Sequence, residues 1–112
     1  MGRIIIEYLE GQKIYACKKC NVHLSKSNYL FSKQFTGTSG TAFLFDKGVN
    51  YLTGKPEEKR LRTGLHTTQN IICIKCQTYL GWKYLYAYEQ SEKYKEGKII
   101  LEKLFLSKIK WN

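Results

Sequence analysis

The chain has 112 residues, of which 43% are hydrophobic and 14% aromatic, and its formal net charge is +10. This length and composition predict a single globular domain over residues 1–112 and exclude a disordered chain. No segment contains the roughly 18 consecutive apolar residues of a membrane-spanning helix. The apolar run at residues 4–6 is also shorter than the core of a signal peptide, which needs about 7 residues. We therefore expect a soluble intracellular protein with no membrane partner.

The apolar pattern, read in chain order, predicts short strands separated by turns. Residues 3–9 and 13–17 flank a turn at residues 10–12, which indicates a hairpin leading to the first cysteines. Further strands are expected at four segments: residues 28–35, 41–49, 70–74 and 81–89. Two of these strands have marked alternation. The first places Phe43 and Phe45 on one face and Ala42 and Leu44 on the other, and the last places four aromatic residues on one face: Trp82, Tyr84, Tyr86 and Tyr88.

The segments between these strands are rich in turn-forming and charged residues. Residues 36–40 contain two glycines and are predicted as a hairpin turn, since no P-loop lysine or helix follows them. Residues 50–62 are predicted as an exposed loop, and residues 90–98 as a polar, turn-containing segment. Residues 99–109 fit either a strand or a helix, with a strand favoured at their start. The prediction is a mostly β fold of six to eight short antiparallel strands in two sheets, with at most one helix.

Four cysteines form two Cys-x-x-Cys pairs, Cys17 with Cys20 and Cys73 with Cys76. Two such turns supply the four thiolates of a closed tetrahedral zinc site. The 52 residues between the pairs exceed the loop of a zinc finger, so the metal is expected to join distant parts of the fold. Disulfides are the alternative, but a reducing compartment disfavours them. A thioredoxin-like redox site is disfavoured because it uses one Cys-x-x-Cys in a βαβ context.

The chain contains two histidines, and both are candidate functional residues. His23 follows the first pair at a spacing that would allow it to compete as a metal ligand, but with four cysteines present a structural role is favoured. His66 has a possible role as a base or ligand contact. Because no carboxylate partner is evident beside it in the sequence, a hydrogen-bonded structural histidine is favoured.

The positive charge and the aromatic residues raise two binding hypotheses. The net charge suggests attraction to nucleic acid, although the lysines are spread along the chain. Their densest group combines four cations with Glu57 and Glu58, and these cations are Lys55, Lys59, Arg60 and Arg62. The aromatic ladder at residues 82–88 fits either a stacking platform or a core face, with the core favoured.

Seven short motifs follow one another along residues 15–101: Cys17-x-x-Cys20, His23-Leu24, Phe35-x-Gly37-x-x-Gly40-x-Ala42-x-Leu44-Phe45, Thr63-Gly64-Leu65-His66, Cys73-x-x-Cys76, Leu80-Gly81-Trp82-Lys83-Tyr84 and Lys93-Tyr94-Lys95-Glu96-Gly97-Lys98. Together they resemble the Yippee-like proteins. The sequence departs from the usual family pattern at Arg62, at Asn70 and after Leu101.

The resemblance implies an antiparallel, zinc-clamped, β-tent-like fold, similar to the ligand-binding domain of cereblon and more distantly to zinc-bearing methionine sulfoxide reductases. Those reductases use a cysteine outside the metal set, which this chain lacks, so reductase activity is disfavoured. Cereblon-like domains hold a ring-shaped ligand in an aromatic cage, and one cage tryptophan corresponds to Trp82. The remaining walls are then expected from Phe43, Phe45 or Tyr84. The alternative is a purely structural Trp82.

The resemblance also implies a nuclear, centrosomal or spindle-associated setting, a link to cell division and growth control, and association with ubiquitin ligase assemblies. The leading hypothesis is a non-enzymatic, zinc-stabilised module in which Trp82 and nearby aromatic residues recognise a protein partner or small ligand in the nucleus or cytoplasm. Nucleic-acid binding is the second hypothesis. An enzyme that pairs His66 with a carboxylate such as Glu89 is the third.

Overall fold

The computed structural model describes residues 4–110, which fold mainly into short strands. Ten strands occur in these residues: β1 (Lys13–Cys17), β2 (His23–Lys26), β3 (Leu30–Gly37), β4 (Gly40–Phe45), β5 (Tyr51–Thr53), β6 (Glu57–Leu61), β7 (Gly64–Cys73), β8 (Tyr79–Ala87), β9 (Ile99–Glu102) and β10 (Leu106–Lys110). Three short 3₁₀ helices lie at Ser27–Tyr29, Gln90–Lys95 and Lys103–Phe105. None of the described helices is long and apolar enough to cross a membrane.

The strands form two antiparallel sheets, as predicted. A three-stranded sheet has the order β10-β1-β2, and a seven-stranded sheet has the order β3-β4-β9-β8-β7-β5 with β6 also paired to β7. Strand β1 ends at Cys17 and β7 ends at Cys73, so each sheet carries one Cys-x-x-Cys pair at the end of a strand. The mostly β, two-sheet fold expected from the sequence is therefore confirmed, but the ten strands and three short 3₁₀ helices in residues 4–110 exceed the predicted six to eight strands and one helix.

Two segments differ from their predicted elements, and a third, predicted as either strand or helix, now has a defined structure. Residues 4–9 form no strand, and the N–H groups of Glu7 and Leu9 instead donate to the side chains of Asn50 and His23. The predicted loop at residues 50–62 contains β5 and β6, both paired with β7. Residues 99–109 form β9, a 3₁₀ turn and the start of β10. The charges of β6 misled the loop prediction because a strand that pairs on one side only can carry charged residues.

The predicted alternation along β4 is present and divides the core into two clusters. Phe43 and Phe45 face the three-stranded sheet, where both rings make edge contacts with Tyr15 at centroid distances of 5.8 and 5.1 Å. Leu44 points to the opposite face and packs in a second cluster of buried residues that also contains Ala42, Trp82, Tyr84 and Ile100. The seven-stranded sheet thus has one face toward the cysteines and a second face around Trp82.

The predicted aromatic ladder of β8 is interrupted by a bulge. The prediction placed four residues on one face: Trp82, Tyr84, Tyr86 and Tyr88. In the structure Tyr84 and Tyr86 lie opposite the successive residues Thr68 and Thr67 of β7, so that Leu85 is an extra residue. An extra residue reverses the alternation of side chains beyond it. The last two tyrosines are consequently 46% exposed, while Trp82 and Tyr84 are buried. The prediction of one shared face was therefore wrong for Tyr86 and Tyr88.

A buried carboxylate ties the glycine-rich hairpin turn to the centre of the sheet. Glu102 at the end of β9 is fully buried, and burial raises the pKa of its carboxyl group. Hydrogen bonds outweigh that effect and lower the pKa below its usual value. Four donors lie 2.6 to 3.2 Å from its oxygens: the hydroxyls of Thr38, Ser39 and Tyr79 and the backbone N–H of Ser39. A Cβ at Gly37 would lie 2.5 Å from this carboxyl group, which explains the first glycine of the turn.

Candidate functional site

The two Cys-x-x-Cys segments have the same backbone arrangement. Cys17 donates its N–H to Val22 O, and its own carbonyl accepts from Asn21, at 2.9 and 2.7 Å. The second segment repeats both bonds, with Cys73 N–H to Thr78 O and Gln77 N–H to Cys73 O, each at 2.9 Å. Asn21 and Gln77 occupy corresponding positions with φ of 65° and 61°. These hydrogen bonds fix the conformation of each turn, which directs its two sulfur atoms toward one common position.

The four sulfur atoms meet between the sheets with the spacing of a tetrahedral metal site. Cys17 Sγ lies 3.6 Å from Cys76 Sγ, and Cys20 Sγ lies 3.5 Å from Cys73 Sγ. All four sulfurs lie within 4.8 Å of one another, and none forms a disulfide. Zinc–sulfur bonds of about 2.3 Å place tetrahedral thiolates roughly 3.8 Å apart. The predicted zinc ligands are therefore confirmed as a zinc-binding site, and its closed four-cysteine set is typical of structural zinc.

The environment of the sulfurs makes metal binding depend on pH. Burial raises the pKa of the Cys17 thiol to about 12 and also raises the pKa of the Cys73 thiol. Burial acts on Cys76 in the same direction, but hydrogen bonds, first among them those from Thr78, lower its pKa to about 6. Zinc binds the thiolate forms, so binding must displace protons from the buried thiols. Lowering the pH is therefore expected to release the metal.

His23 does not ligate this centre. Its Nδ1 accepts the backbone N–H of Leu9 at 2.9 Å, and its ring packs edge-on against Tyr8. This contact joins the start of β2 to the N-terminal segment. The structural interpretation of His23 therefore agrees with its hydrogen bonding.

The five residues predicted as a ligand-binding set do not all share one surface. Trp82, Tyr84 and His66 lie on the same face of the seven-stranded sheet, where the ring centroids of His66 and Tyr84 are 5.3 Å apart. Phe43 and Phe45 lie on the opposite face, in the core beside the zinc site. A cage that combines these two phenylalanines with Trp82 is not formed, because successive β4 side chains alternate between the faces.

Two cavities lie on the Trp82 face, and residues of β3 and β6 line both of them. One cavity of about 280 Å³ is lined by eight residues of these strands and their neighbours: Thr36, Gly37, Thr38, Lys59, Leu61, Thr68, Tyr79 and Trp82. An adjoining cavity of about 670 Å³ shares Thr36, Leu61 and Trp82 with it and also contacts Tyr84. We call these two connected cavities the Trp82 trough. His66 lies behind Tyr84 and lines neither cavity.

Four buried polar atoms on this face have no hydrogen-bond partner among the described residues: Trp82 Nε1, Thr68 Oγ1, His66 Nε2 and Glu92 Oε1. The last of these is compensated by the ammonium of Lys95. Trp82 and Thr68, which are 9% and 1% exposed, both line the smaller cavity. His66 donates its Nδ1–H to Gly64 O at 3.0 Å. Native proteins pair most buried polar atoms, because each unpaired one costs about 1–3 kcal/mol.

A buried lysine closes the larger cavity. Lys95 is 3% exposed, and its Nζ contacts Glu92 Oε1 and Thr63 Oγ1 at 2.5 and 3.1 Å. The same ammonium lies 5.1 and 5.4 Å from the ring centroids of Phe35 and Tyr84. Burial raises the pKa of the Tyr84 hydroxyl to about 12, so the phenol stays protonated. The neighbouring Trp82 indole N–H acts in the opposite direction on this pKa, although the two groups do not meet the geometry of a hydrogen bond.

Several residues of the trough were missed from the sequence. Lys95 was placed in a family motif but given no role, and Leu61 and Thr68 were not singled out at all. Arg62, noted as a departure from the family pattern, lines the larger cavity. No local pattern indicates the burial of Lys95, because Tyr94 is its only aromatic neighbour in the sequence and the rings of Phe35 and Tyr84 come from other strands.

The hypothetical catalytic pair of His66 and Glu89 is not assembled. The His66 ring bonds to Gly64 O, and no hydrogen bond joins it to Glu89 within residues 4–110. Glu89 is exposed, and its side chain packs over Gly64 instead. The geometry therefore gives this pair no common substrate position.

Comparisons with known proteins agree with this site and fold. A family model described as "Yippee zinc-binding/DNA-binding /Mis18, centromere assembly" matches residues 13–111, and so extends beyond the resemblance found by motif. A yippee-like protein of Solanum tuberosum is 48% identical over 103 residues, which cover 92% of this chain and 79% of the relative. Protein yippee of Drosophila melanogaster is 42% identical over 102 residues, covering 91% and 84%.

A solved structure shows the same fold. The crystal structure of a Mis18 "Yippee-like" domain superposes with a TM-score of 0.70 over 91% of this chain and 99% of that domain, at 16% identity. At that identity the likeness concerns the fold alone. The sequence matches include both cysteine pairs, whose sulfurs cluster in the structure. This chain therefore belongs to the Yippee/Mis18 family of zinc-binding domains.

Proposed function

We propose that this protein is a non-enzymatic binding module whose zinc site holds the two sheets together and whose Trp82 trough receives the ligand. The observation that carries the proposal is that Trp82 and Thr68 line the same small cavity and that Trp82 Nε1 and Thr68 Oγ1 are buried beside it without a hydrogen-bond partner. A ligand that pairs with them recovers the free energy that their burial costs. The four thiolates fill the coordination sphere of zinc, which leaves no open position for a substrate.

The chemistry of the cavity defines the class of ligand. The indole N–H can only donate, so the ligand must offer an acceptor oxygen, and the Thr68 hydroxyl can accept or donate beside it. A volume of about 280 Å³ is below the usual range for drug-sized ligands, which begins at about 300 Å³. It fits one protein side chain or a small ring. The ligand is therefore a carbonyl-bearing side chain or small molecule, held beside Trp82, Thr68 and Leu61 in the smaller cavity.

The setting of this module is also a proposal. We propose a protein partner in the nucleus or cytoplasm that acts in cell division or growth control or within a ubiquitin ligase assembly. The support is the description of the matching family model, which names centromere assembly, and the likeness in fold to the Mis18 domain.

Chemical-shift mapping of the indole N–H tests the trough directly. The chain contains two tryptophans, Trp82 and Trp111, so a ¹⁵N spectrum of the zinc-bound protein contains two indole signals. We expect carbonyl fragments, such as N-acetyl amino-acid methylamides and small cyclic amides, to shift the Trp82 signal, and tetramethylammonium to leave it unchanged. The variant Trp82→Phe keeps an aromatic ring but removes the donor, and it should lose binding.

A matched control is Tyr86→Phe, which also removes one polar group from an aromatic side chain of β8 but lies outside the trough. It should bind the fragments like the natural protein. If no carbonyl fragment shifts the Trp82 signal, or if Trp82→Phe binds as well as Tyr86→Phe, the proposal is wrong.

A further inference from the structure

A second groove, separate from the Trp82 trough, lies where the edge of the three-stranded sheet approaches β3, β4 and the 3₁₀ turn Lys103–Phe105. It encloses about 640 Å³, and it shares no lining residue with either cavity of the trough. Four lysines line it, with no acidic residue: Lys18, Lys33, Lys103 and Lys108. We call this the basic groove.

The lysines of the basic groove are uncompensated within the described chain. None of these four lysines forms a salt bridge within residues 4–110. The salt bridges in this part of the chain involve other lysines. Lys13 and Lys110 are close enough to add to the positive potential of the groove. Burial lowers the pKa of Lys108, and four neighbouring charges lower it further, those of Lys33, Lys13, Lys110 and Lys103. Lys18 adjoins the zinc thiolates, which partly offset its charge. The other cations still form a focus of positive potential that attracts anions.

The floor of the basic groove is apolar but offers no stacking platform. Tyr15 and Phe43 line the floor, yet they are only 2% and 7% exposed, since they pack against each other in the core. Nucleic-acid bases need exposed ring faces on which to stack. The accessible apolar contacts are aliphatic instead, from Leu106 and from Leu104, which is 57% exposed. An aliphatic floor between lysine walls complements a peptide that carries both acidic and aliphatic side chains.

The backbone beside the basic groove adds a third kind of contact. Strand β10 pairs only with β1 and is therefore an edge of the three-stranded sheet. An extended peptide can add to such an edge through main-chain hydrogen bonds. Lysines on an edge strand also deter pairing between copies of one protein. Lys108, however, is directed over the ring of Tyr15 at 5.9 Å, into the groove.

From these contacts we infer that the basic groove binds an extended acidic peptide segment of a partner protein, with its carboxylates on Lys33, Lys103 and Lys108, its aliphatic side chains on Leu104 and Leu106, and its backbone along β10. This interaction is independent of the ligand in the Trp82 trough. A partner that carries both features would be held at two places on the molecule.

Fluorescence anisotropy with a designed probe tests the inference. The probe is a fluorescein-labelled peptide of eight residues in which aspartate alternates with leucine, and its comparison probes are the same peptide with alanine for leucine and an oligothymidylate of equal charge. The charge-reversal variant Lys33→Glu/Lys108→Glu should weaken binding of the leucine peptide by about tenfold or more. The control Lys47→Glu/Lys55→Glu changes the net charge equally at exposed sites outside the groove and should change binding less than about threefold.

The outcomes are distinguishable. We expect the leucine peptide to bind more tightly than the alanine peptide and the oligothymidylate, and the variant Trp82→Phe to bind it unchanged. Equal loss in both charge variants would reduce the effect to net charge and overturn the inference. Tighter binding of the oligothymidylate, sensitive to Lys33→Glu/Lys108→Glu, would assign the groove to nucleic acid instead. Zinc content by native mass spectrometry and circular dichroism verify that each variant is folded.

Discussion

The two faces of the seven-stranded sheet differ in how completely their polar groups are satisfied. On the zinc-facing side, apolar side chains such as Phe45 and Leu101 fill the space, and the four sulfurs meet around one point. Cavities or grooves border both sides, but among the described residues the buried side-chain donors and acceptors that lack hydrogen-bond partners lie on the Trp82 side. A face that only stabilised the fold would have its buried polar groups paired. This difference supports the proposal that the zinc side stabilises the fold and that the Trp82 side binds a ligand.

The largest expected effect comes from breaking the zinc-facing side. Cys73→Ser removes one thiolate of the centre that joins β1 and β7. Zinc contributes about 10–16 kcal/mol in small zinc domains, comparable to the whole stability of a domain, about 5–15 kcal/mol. We expect the variant to lose zinc and to unfold at 25 °C, as seen by native mass spectrometry and circular dichroism.

The control for this variant is Lys75→Ala, which lies in the same Cys-x-x-Cys turn but supplies no ligand. It should keep one zinc and a cooperative thermal transition. A Cys73→Ser protein that still melts cooperatively, and does so unchanged in excess chelator, would contradict the structural role of the metal.

An intermediate effect is expected from substituting Glu102, whose buried carboxylate has hydrogen-bond partners for its oxygens. Glu102→Gln exchanges a carboxylate that accepts from four donors for an amide with a single acceptor oxygen. Hydrogen bonds to charged groups are worth about 1.5–3 kcal/mol, so we expect the free energy of unfolding to fall by about 2 kcal/mol in urea titrations near pH 7.

The difference between this variant and the natural protein should depend on pH. The carboxyl pKa of Glu102 is lower in the folded than in the unfolded protein, so the contribution is complete above the ordinary carboxyl range and is lost as the pH falls through the folded pKa. Because both proteins have the same zinc site, acid release of the metal affects them alike. A stability difference that stays constant into acid would argue against an ionised Glu102.

The overall fold was accessible from the sequence where a local pattern was sufficient. Two Cys-x-x-Cys pairs specify the ligands of zinc whatever lies between them, and alternation along β4 correctly separated Phe43 and Phe45 from Leu44. The elements that were missed depend on distant partners. Strand β6 exists because its backbone pairs with β7, and its charged side chains concealed it.

The Trp82 trough was only partly accessible for the same reason. Trp82 and Tyr84 could be recognised from alternation and family resemblance, but the reversal at Leu85 has no sequence signal, since a bulge is set by pairing between β7 and β8. Thr68 and Leu61 come together in the trough only because β6 pairs with β7. A charged residue such as Lys95 is rarely predicted to be buried, because its burial depends on Glu92 and the surrounding rings.

The smallest effect gives the sharpest test of the contrast between the two faces. Thr68→Val replaces a hydroxyl by a methyl group of similar shape, and valine, like threonine, is β-branched and suits a strand. Because the hydroxyl is buried without a partner, we expect the variant to be as stable as the natural protein or more stable, by up to about 1 kcal/mol. Carbonyl fragments that contact the hydroxyl in the natural protein should bind the Thr68→Val variant more weakly.

The control is Thr67→Val, the same substitution at the neighbouring β7 position, whose side chain points to the other face. It should alter neither the free energy of unfolding beyond a few tenths of a kcal/mol nor fragment binding. A loss of more than about 1 kcal/mol in Thr68→Val would mean that the hydroxyl already has a partner in the free protein, and the argument for an incomplete face would fail. A gain in stability combined with weaker binding would mean that this position trades stability for ligand recognition, as functional sites often do.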